Sequence, residues 1–205
     1  HLPDVEKLVR PALTKMFCVT QDIYRHAPNL LYSDVVFPAI TWGEWSGGTY
    51  IQSERRVYVC DGVGVGRDDK GNPITEALPD MDLAIDKCKA IARKLGLDAD
   101  AIIPYKKKVE NAYGQRFYDP EEVFEDIIRA SKGSDADLTG MLEVRERDGV
   151  GLYDQLRQLR GVQWPAATYE IARKGGTPRR YMRQEGWDDS PYENFRHADG
   201  KAKVK

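Results

Sequence analysis

The chain has 205 residues, enough for one sizeable core, and 41% of them are hydrophobic, which is typical of a globular protein. Its 31 basic and 33 acidic side chains nearly balance, which argues against a surface for nucleic acid or for an anionic membrane. No apolar run reaches the roughly 18 residues that a membrane span requires, so we expect no direct membrane span and no nucleic-acid partner.

The ends of the chain and its cysteines bound the problem further. The chain begins at His1 and ends in a basic run, which we interpret as a piece of a longer protein, with a trimmed domain as the alternative. Cys18, Cys60 and Cys88 are far apart and never form a C-x-x-C pattern. We therefore predict buried thiols rather than metal ligands.

Two short apolar runs predict neighbouring strands of a parallel sheet. Met16–Thr20 is continuously apolar, as expected of a strand buried on both faces. Asp34–Phe37, stopped by Pro38, predicts a second strand, and the stretch between the runs is long enough for a crossover turn. Gln21 and Asp22 then follow the first strand at its carboxyl end.

A Trp- and Gly-rich loop over residues 41–48 precedes a predicted strand pair at Tyr50-Ile51 and Arg56–Cys60. The glycine-rich segment Gly62–Arg67 follows. It lacks both the G-x-G-x-x-G spacing of dinucleotide sites and the Gly-Lys-Ser/Thr ending of a P-loop, so we predict a surface loop over residues 61–79.

Three helices are predicted from periodicity and from their ends. The first, residues 80–95, begins at Asp80 as cap and ends before Gly96. Its predicted buried face consists of Leu83, Ala84, Cys88, Ile91 and Leu95.

The second helix, residues 120–132, has Asp119 as its cap and Glu122 as the partner residue of a capping box. Its predicted buried stripe is Val123, Phe124, Ile127 and Ile128. The third helix covers Leu152–Leu159.

These elements predict an α/β fold. Residues 1–160 are predicted to form part of a Rossmann-like parallel-sheet domain with flanking helices, and residues 161–205 an irregular C-terminal linker. In open α/β sheets, ligands bind at the carboxyl ends of the strands.

The polar residues at the predicted strand end are the first candidate site. A carboxylate such as Asp22 can accept hydrogen bonds from the N1–H and the exocyclic amine of a guanine. The alternative for Asp22 is a local Asx turn or helix cap. Arg55 and Arg56 offer bidentate donors to phosphate or carboxylate, with a solvated pair as the alternative.

Several blocks occur in order with short spacers: Thr20-Gln-Asp-Ile-Tyr24, Tyr32–Ala39, Thr41-Trp-Gly-Glu44, Gly48-Thr-Tyr50 and Ser53-Glu-Arg-Arg56. Further blocks follow in the two longer helices, at Gly161–Pro165 and at Asp199–Ala202. Together these blocks, in this order, resemble the dimethyl-sulfoxide-reductase superfamily of molybdenum or tungsten enzymes. Formate dehydrogenases, periplasmic nitrate reductases and arsenite oxidases carry a similar block.

The resemblance implies a catalytic subunit that holds its metal between two molybdopterin guanine dinucleotides, with a C-terminal barrel domain after the predicted linker. The implied cofactor-binding residues are Gln21, Asp22, Trp42, Glu44, Arg55 and Arg56. No catalytic residue and no metal ligand of this chain is implied, because the family's cysteine motif and metal ligand would lie upstream of His1.

The implied activity is a two-electron oxidoreduction of a small substrate, either an oxyanion such as arsenite, iodate or nitrate, or formate. The resemblance also implies an upstream iron–sulfur cluster. The expected partners are the rest of the catalytic chain and a small iron–sulfur electron-transfer subunit. The expected location is the periplasm, with the cytoplasm as the alternative. Two competing classes remain: a non-catalytic α/β binding domain that has lost the cofactor, and an α/β domain for a different nucleotide.

Overall fold

The computed structural model describes residues 4–44, 48–64, 66–72, 74–110 and 116–177. Over these residues the chain is mixed α/β, as predicted, with one small parallel sheet and additional antiparallel pairing. The block Asp199–Ala202 lies outside the described residues.

The described strands are β1 Val19–Asp22, β2 Val35–Pro38, β3 Gly48–Gln52, β4 Arg56–Cys60, β5 Lys107–Glu110, β6 Arg116–Tyr118 and β7 Val162–Gln163. The described α-helices are α1 Arg10–Leu13, α2 Asp80–Lys94, α3 Ala99–Ile102, α4 Pro120–Ala130, α5 Gly140–Asp148, α6 Leu152–Leu159 and α7 Tyr169–Arg173. A π-helical turn, Val5–Val9, precedes α1, and a 3-10 turn, Pro28–Tyr32, joins β1 to β2. None of the described helices is long and apolar enough to cross a membrane.

The chain divides into two compact units. The first consists of His1–Thr49 and Cys60–Val123, and the second of Tyr50–Val59 and Phe124–Lys205. The sequence-based boundary at residue 160 stays a prediction.

The first unit contains the predicted parallel pair, with Val19 opposite Val35 and Asp22 opposite Pro38. Its first strand begins at Val19 rather than at Met16, and Val19 is 47% exposed, so the prediction of a strand buried on both faces is wrong for this chain. Parallel strands are buried when layers of helix cover both faces of the sheet. The two-stranded sheet described here leaves β1 and β2 largely uncovered.

Helix α2 is one residue shorter than predicted, and Asp80 is its first residue rather than its cap. Its buried face also differs from the predicted one. Leu83 is buried as expected, whereas Ile91 and Leu95 are 59% and 68% exposed. The other buried residues of α2 are Asp82, Ile85, Lys89 and Ala92. Polar partners explain the difference. Lys89 Nζ lies 2.8 Å from Asp100 Oδ1 and 2.6 Å from the Tyr105 carbonyl oxygen, so its ammonium is paired although its stem is buried.

Because the buried face of α2 differs from the predicted one, the prediction that all three cysteines are buried is wrong for Cys88. Cys88 is exposed, whereas Cys18 and Cys60 are half-buried. All three are free thiols.

The second unit has a continuous hydrophobic core formed by β4, the helices α4 to α7 and β7. Its buried members are Val57, Phe124, Ile128, Leu138, Met141, Val144, Leu152, Tyr153, Leu156, Val162, Ala166 and Ala172. The sequence predicts an irregular linker from residue 161. The described residues 161–177 contain β7, antiparallel to β4, and α7, and three of them are core residues. Residues 178–205 lie outside the described part.

Helix α4 begins as predicted and is only partly capped as predicted. Asp119 Oδ1 accepts a hydrogen bond from the Glu121 N–H at 2.9 Å. The Glu122 carboxylate pairs with Lys108 instead of completing a capping box. Of the predicted stripe, Phe124 and Ile128 are buried, whereas Ile127 is 53% exposed.

A two-arginine ion-pair cluster links α4 to α5 in the second unit. Glu125 accepts from Arg145 through both carboxylate oxygens, at 2.7 and 2.9 Å, and from Arg129 at 2.6 Å. The hydrogen bonds from Arg145, and then those from Arg129, lower the pKa of Glu125 to about 2.

We expect Glu125→Gln to lower the free energy of unfolding by about 2 kcal/mol at pH 7, after allowance for partial solvent screening. Because the folded-state pKa lies below the unfolded value, the stabilisation is present above about pH 4.5 and is lost as the pH falls towards 2. Urea unfolding at pH 7 and pH 3 measures this difference. Glu146→Gln, at an exposed position of α5, is the control. An equal loss in both variants would contradict the prediction.

Candidate functional site

The predicted polar pair lies at the carboxyl end of the parallel sheet. Gln21 and Asp22 are the last two residues of β1, and Asp22 is opposite Pro38, the last residue of β2. The Ala39 N–H donates to the Asp22 carbonyl oxygen at 3.1 Å, so both strands leave the sheet at one edge. We refer to Gln21, Asp22 and their contacts as the strand-end site.

The Asp22 carboxylate organises the turn that follows β1. Its Oδ1 accepts from the Tyr24 N–H at 2.8 Å, and its Oδ2 accepts from Asn29 Nδ2 at 3.2 Å. The first contact has the form of the Asx turn that is the alternative for this residue. Each carboxylate oxygen has a second lone-pair site, so the turn uses only part of the acceptor capacity of Asp22.

Gln21 connects the strand end to helix α2. Its Nε2 donates to Asp80 Oδ1 at 2.9 Å, and its Oε1 accepts from Lys87 Nζ. The Lys87 ammonium also lies 5.3 Å from the centre of the Phe37 ring. Sequence reasoning missed Asp80 and Lys87. Asp80 is recognisable in the sequence only as a helix start, and its contact with Gln21 joins residues 59 positions apart.

The loop after β2 carries the predicted residues Trp42 and Glu44. Trp42 is 66% exposed, and Glu44 Oε2 accepts from the Thr41 N–H at 2.9 Å, which closes the turn from 41 to 44. This loop follows β2 by only a few residues and belongs to the same unit as Gln21 and Asp22.

Arg55 and Arg56 belong to the second unit. Arg55 has a left-handed backbone, φ 61°, and its guanidinium donates to the Trp164 carbonyl and, at 3.1 Å, to the Thr177 carbonyl. Arg56 Nε donates to Glu54 Oε1 at 2.9 Å. The structure therefore brings together Gln21 and Asp22, and it gives the two arginines contacts within another unit.

The residues of the strand-end site fit the purine part of a guanine dinucleotide. Guanine presents hydrogen-bond donors at N1 and at its exocyclic amine. The Asp22 carboxylate supplies acceptors, and the Gln21 amide supplies both a donor and an acceptor. A pyrophosphate fits this position less well, because the carboxylates of Asp22 and Asp80 would repel its negative charge. Among the described residues, no group of three His, Cys, Asp or Glu side chains could hold a metal ion.

No family model matches the chain. A curated relative, an assimilatory nitrate reductase of Haloferax mediterranei, is 27% identical over 157 residues. The aligned stretch covers 77% of this chain and 17% of that relative, so the chain spans about one sixth of its length. The chain is thus distantly similar to part of an assimilatory nitrate reductase.

Proposed function

We propose that this chain is part of the catalytic subunit of a molybdenum or tungsten oxidoreductase and that it anchors a molybdopterin guanine dinucleotide. The observation that carries the proposal is the carboxylate of Asp22 at the carboxyl end of β1, in a chain distantly similar to an assimilatory nitrate reductase. Ligands of α/β sheets bind at this edge.

The role of the chain is to bind and to orient. Asp22 would accept hydrogen bonds from the guanine, and Gln21, held by Asp80 and Lys87, would fix the position of the base. When bound, the cofactor supplies the two-electron redox chemistry. A charge-assisted hydrogen bond of the Asp22 type contributes roughly 1.5–3 kcal/mol.

We favour a small oxyanion as substrate, with nitrate ahead of arsenite and iodate because the relative is a nitrate reductase. A formate-dehydrogenase-type subunit is the second candidate, because the sequence blocks around Gln21 and Gln163 resemble those of formate dehydrogenases as well as those of nitrate reductases. The same proposal includes an iron–sulfur cluster, a small electron-transfer subunit and a periplasmic location, all implied by the family resemblance.

The exposed apolar residues of the first unit support further contacts with the rest of a catalytic chain. Val35 and Val36 of β2 are 37% and 44% exposed, and Ile23 after β1 is 44% exposed. Parallel strands normally have both faces covered.

The test is the cofactor content of Asp22 variants in the full-length protein. We expect Asp22→Ala to lower molybdenum or tungsten and guanine per chain by about tenfold, the effect of losing one charge-assisted hydrogen bond. Asp22→Asn keeps the main turn contact, because the amide oxygen still accepts from the Tyr24 N–H, whereas its NH2 group cannot accept from Asn29 Nδ2 or from the guanine donors. It should lose cofactor as Asp22→Ala does.

Asp34→Ala is the matched control. The Asp34 carboxylate accepts from the Cys18 N–H at 2.8 Å at the amino end of the same parallel pair. Metal and guanine content should be unchanged in this variant. Normal content in Asp22→Asn would mean that Asp22 serves only the turn, and no molybdenum or tungsten in the wild-type protein would support a non-catalytic α/β domain.

A further inference from the structure

The second unit contains an open cleft of about 770 Å³ between β4 and the carboxyl end of α6. The strand side presents Gln52, Arg56 and Tyr58, and the helix side presents Arg157 and Arg160. We refer to this feature as the arginine cleft. Its volume is within the range of about 300–1,000 Å³ that is typical of sites for small molecules.

The arginine cleft is positively charged in a chain whose formal net charge is −2. Three guanidinium groups line it, against the single carboxylate of Glu54, which pairs with Arg56. Arg157 lies 3.0 Å from Asp154 Oδ1, in a pair whose side chains are 42% and 61% exposed. An exposed ion pair of this kind contributes little to stability, so the Arg157 guanidinium can move from Asp154 to a bound anion at small cost.

Arg160 holds an unusual backbone conformation. It ends α6 with φ 53° and ψ 42°, in the left-handed region that favours glycine. No carboxylate of the described residues pairs with its guanidinium. The carboxyl end of a helix stabilises a cation, but that interaction leaves the five guanidinium donors available. A strained arginine at the rim of a cleft suggests a role in binding.

The floor of the arginine cleft is apolar. Val59, Leu156 and Leu159 line it, and Leu156 is 1% exposed. Tyr58 adds an aromatic ring, 5.8 Å from the ring of Tyr50. Guanidinium groups at the rim and an aromatic and aliphatic floor suit a ligand that has both a phosphate and a flat ring.

We propose that the arginine cleft binds a nucleoside diphosphate, with its phosphates on Arg157 and Arg160 and its base against Tyr58 and the apolar floor. The floor residues Val59, Leu156 and Leu159 carry no hydrogen-bonding side chain, and Gln52 Nε2 donates to the Tyr58 hydroxyl at 3.4 Å, so we expect adenine and guanine to bind alike. The inference does not depend on the proposed function, since Asp22 lies in the first unit and no residue of the strand-end site lines this cleft.

Calorimetric titration of the protein with ADP, GDP, pyrophosphate and adenosine tests the proposal. ADP and GDP should bind with equal affinity, and pyrophosphate and adenosine each about tenfold more weakly or worse. Pyrophosphate binding as tightly as ADP would overturn the nucleoside assignment, and no saturable binding of ADP at millimolar concentration would overturn the site.

Two variants distinguish a ligand role from a structural one. Arg160→Gly removes the guanidinium and relieves the left-handed backbone, so the protein should melt at a higher temperature while ADP affinity falls about tenfold. Arg157→Gln should weaken ADP binding by a similar factor. Arg147→Gln, at an exposed position of α5 outside the cleft, is the charge control and should retain full affinity. An equal loss in the control would show that net charge, rather than the cleft, attracts the nucleotide.

Discussion

Replacing Gly140 with alanine should lower the free energy of unfolding of the second unit by about 3 kcal/mol. Gly140 is the first residue of α5, and a Cβ atom there would lie 2.6 Å from the Ala166 carbonyl oxygen and nearer still to that of Thr168. Both neighbours are backbone atoms, so no side chain can rotate away. The better helix propensity of alanine, about 1 kcal/mol, offsets only part of this cost.

The surrounding contacts prevent the backbone from moving. The Gly140 N–H donates to the Ala166 carbonyl at 2.9 Å, and the Thr168 carbonyl accepts from the Ala172 N–H at the start of α7, also at 2.9 Å. Ala166 and Met141 are fully buried. Relief of the clash must therefore separate α5 from the segment before α7.

Urea unfolding followed by far-ultraviolet circular dichroism measures the effect. Gly43→Ala is the matched control, because the nearest atom to its added Cβ is Thr41 Oγ1 at 3.8 Å. Its unfolding midpoint should be unchanged. Equal midpoints for Gly140→Ala and the wild-type protein would show that α5 and residues 166–168 do not approach so closely.

Removing the charge of Asp82 should stabilise the first unit by about 3 kcal/mol at pH 8 and have no effect near pH 4. Asp82 is fully buried in α2; its Oδ1 accepts from the Tyr118 N–H at 3.2 Å, and its Oδ2 has no hydrogen-bond partner in the described structure. Burial raises the pKa of Asp82 to about 6, against the lowering effects of the Tyr118 N–H and of Lys107.

The sign follows from proton linkage. Since the folded-state pKa lies above the unfolded value of about 4, the folded state binds more protons between pH 4 and 6. The contribution of Asp82 to stability is therefore full below pH 4 and is lost as the pH rises through 6. Asparagine keeps an oxygen to accept from the Tyr118 N–H and carries no charge at any pH.

The measurement is the difference in unfolding free energy between Asp82→Asn and the wild-type protein at several pH values. The difference isolates Asp82 from the other carboxylates, among which Asp86 has its pKa lowered, against the effect of its own burial, by Lys107 and Tyr118. Asp69→Asn, at an exposed loop position, is the control. A stability difference that is constant from pH 4 to 8 would contradict a titrating Asp82.

Local signals were sufficient for the ranges of several elements. The start of α4 depends on Asp119 and Pro120, and the end of α2 depends on Gly96, whose φ is 72°. These residues act on the backbone beside them, so the sequence contains the whole cause. The same holds for the position of Gln21 and Asp22 at the end of β1.

The sequence of α2 alone did not predict which of its faces is buried. Periodicity favoured Cys88 and Ile91, whereas the structure buries Asp82 and Lys89. Burial of these two residues depends on partners 11 to 36 positions away, Asp100 for Lys89 and the Tyr118 N–H for Asp82. A hydrophobicity pattern treats a charged residue as exposed because it contains no information about such partners.

The sequence by itself determined the α/β class, the order of the main elements and the polar pair at the end of β1, since each depends on residues close together in the chain. Only the tertiary structure decided that the guanidinium of Arg55 contacts carbonyls more than a hundred positions away and that Arg157 and Arg160 share a cleft with Arg56. Such contacts depend on how the strands and helices pack.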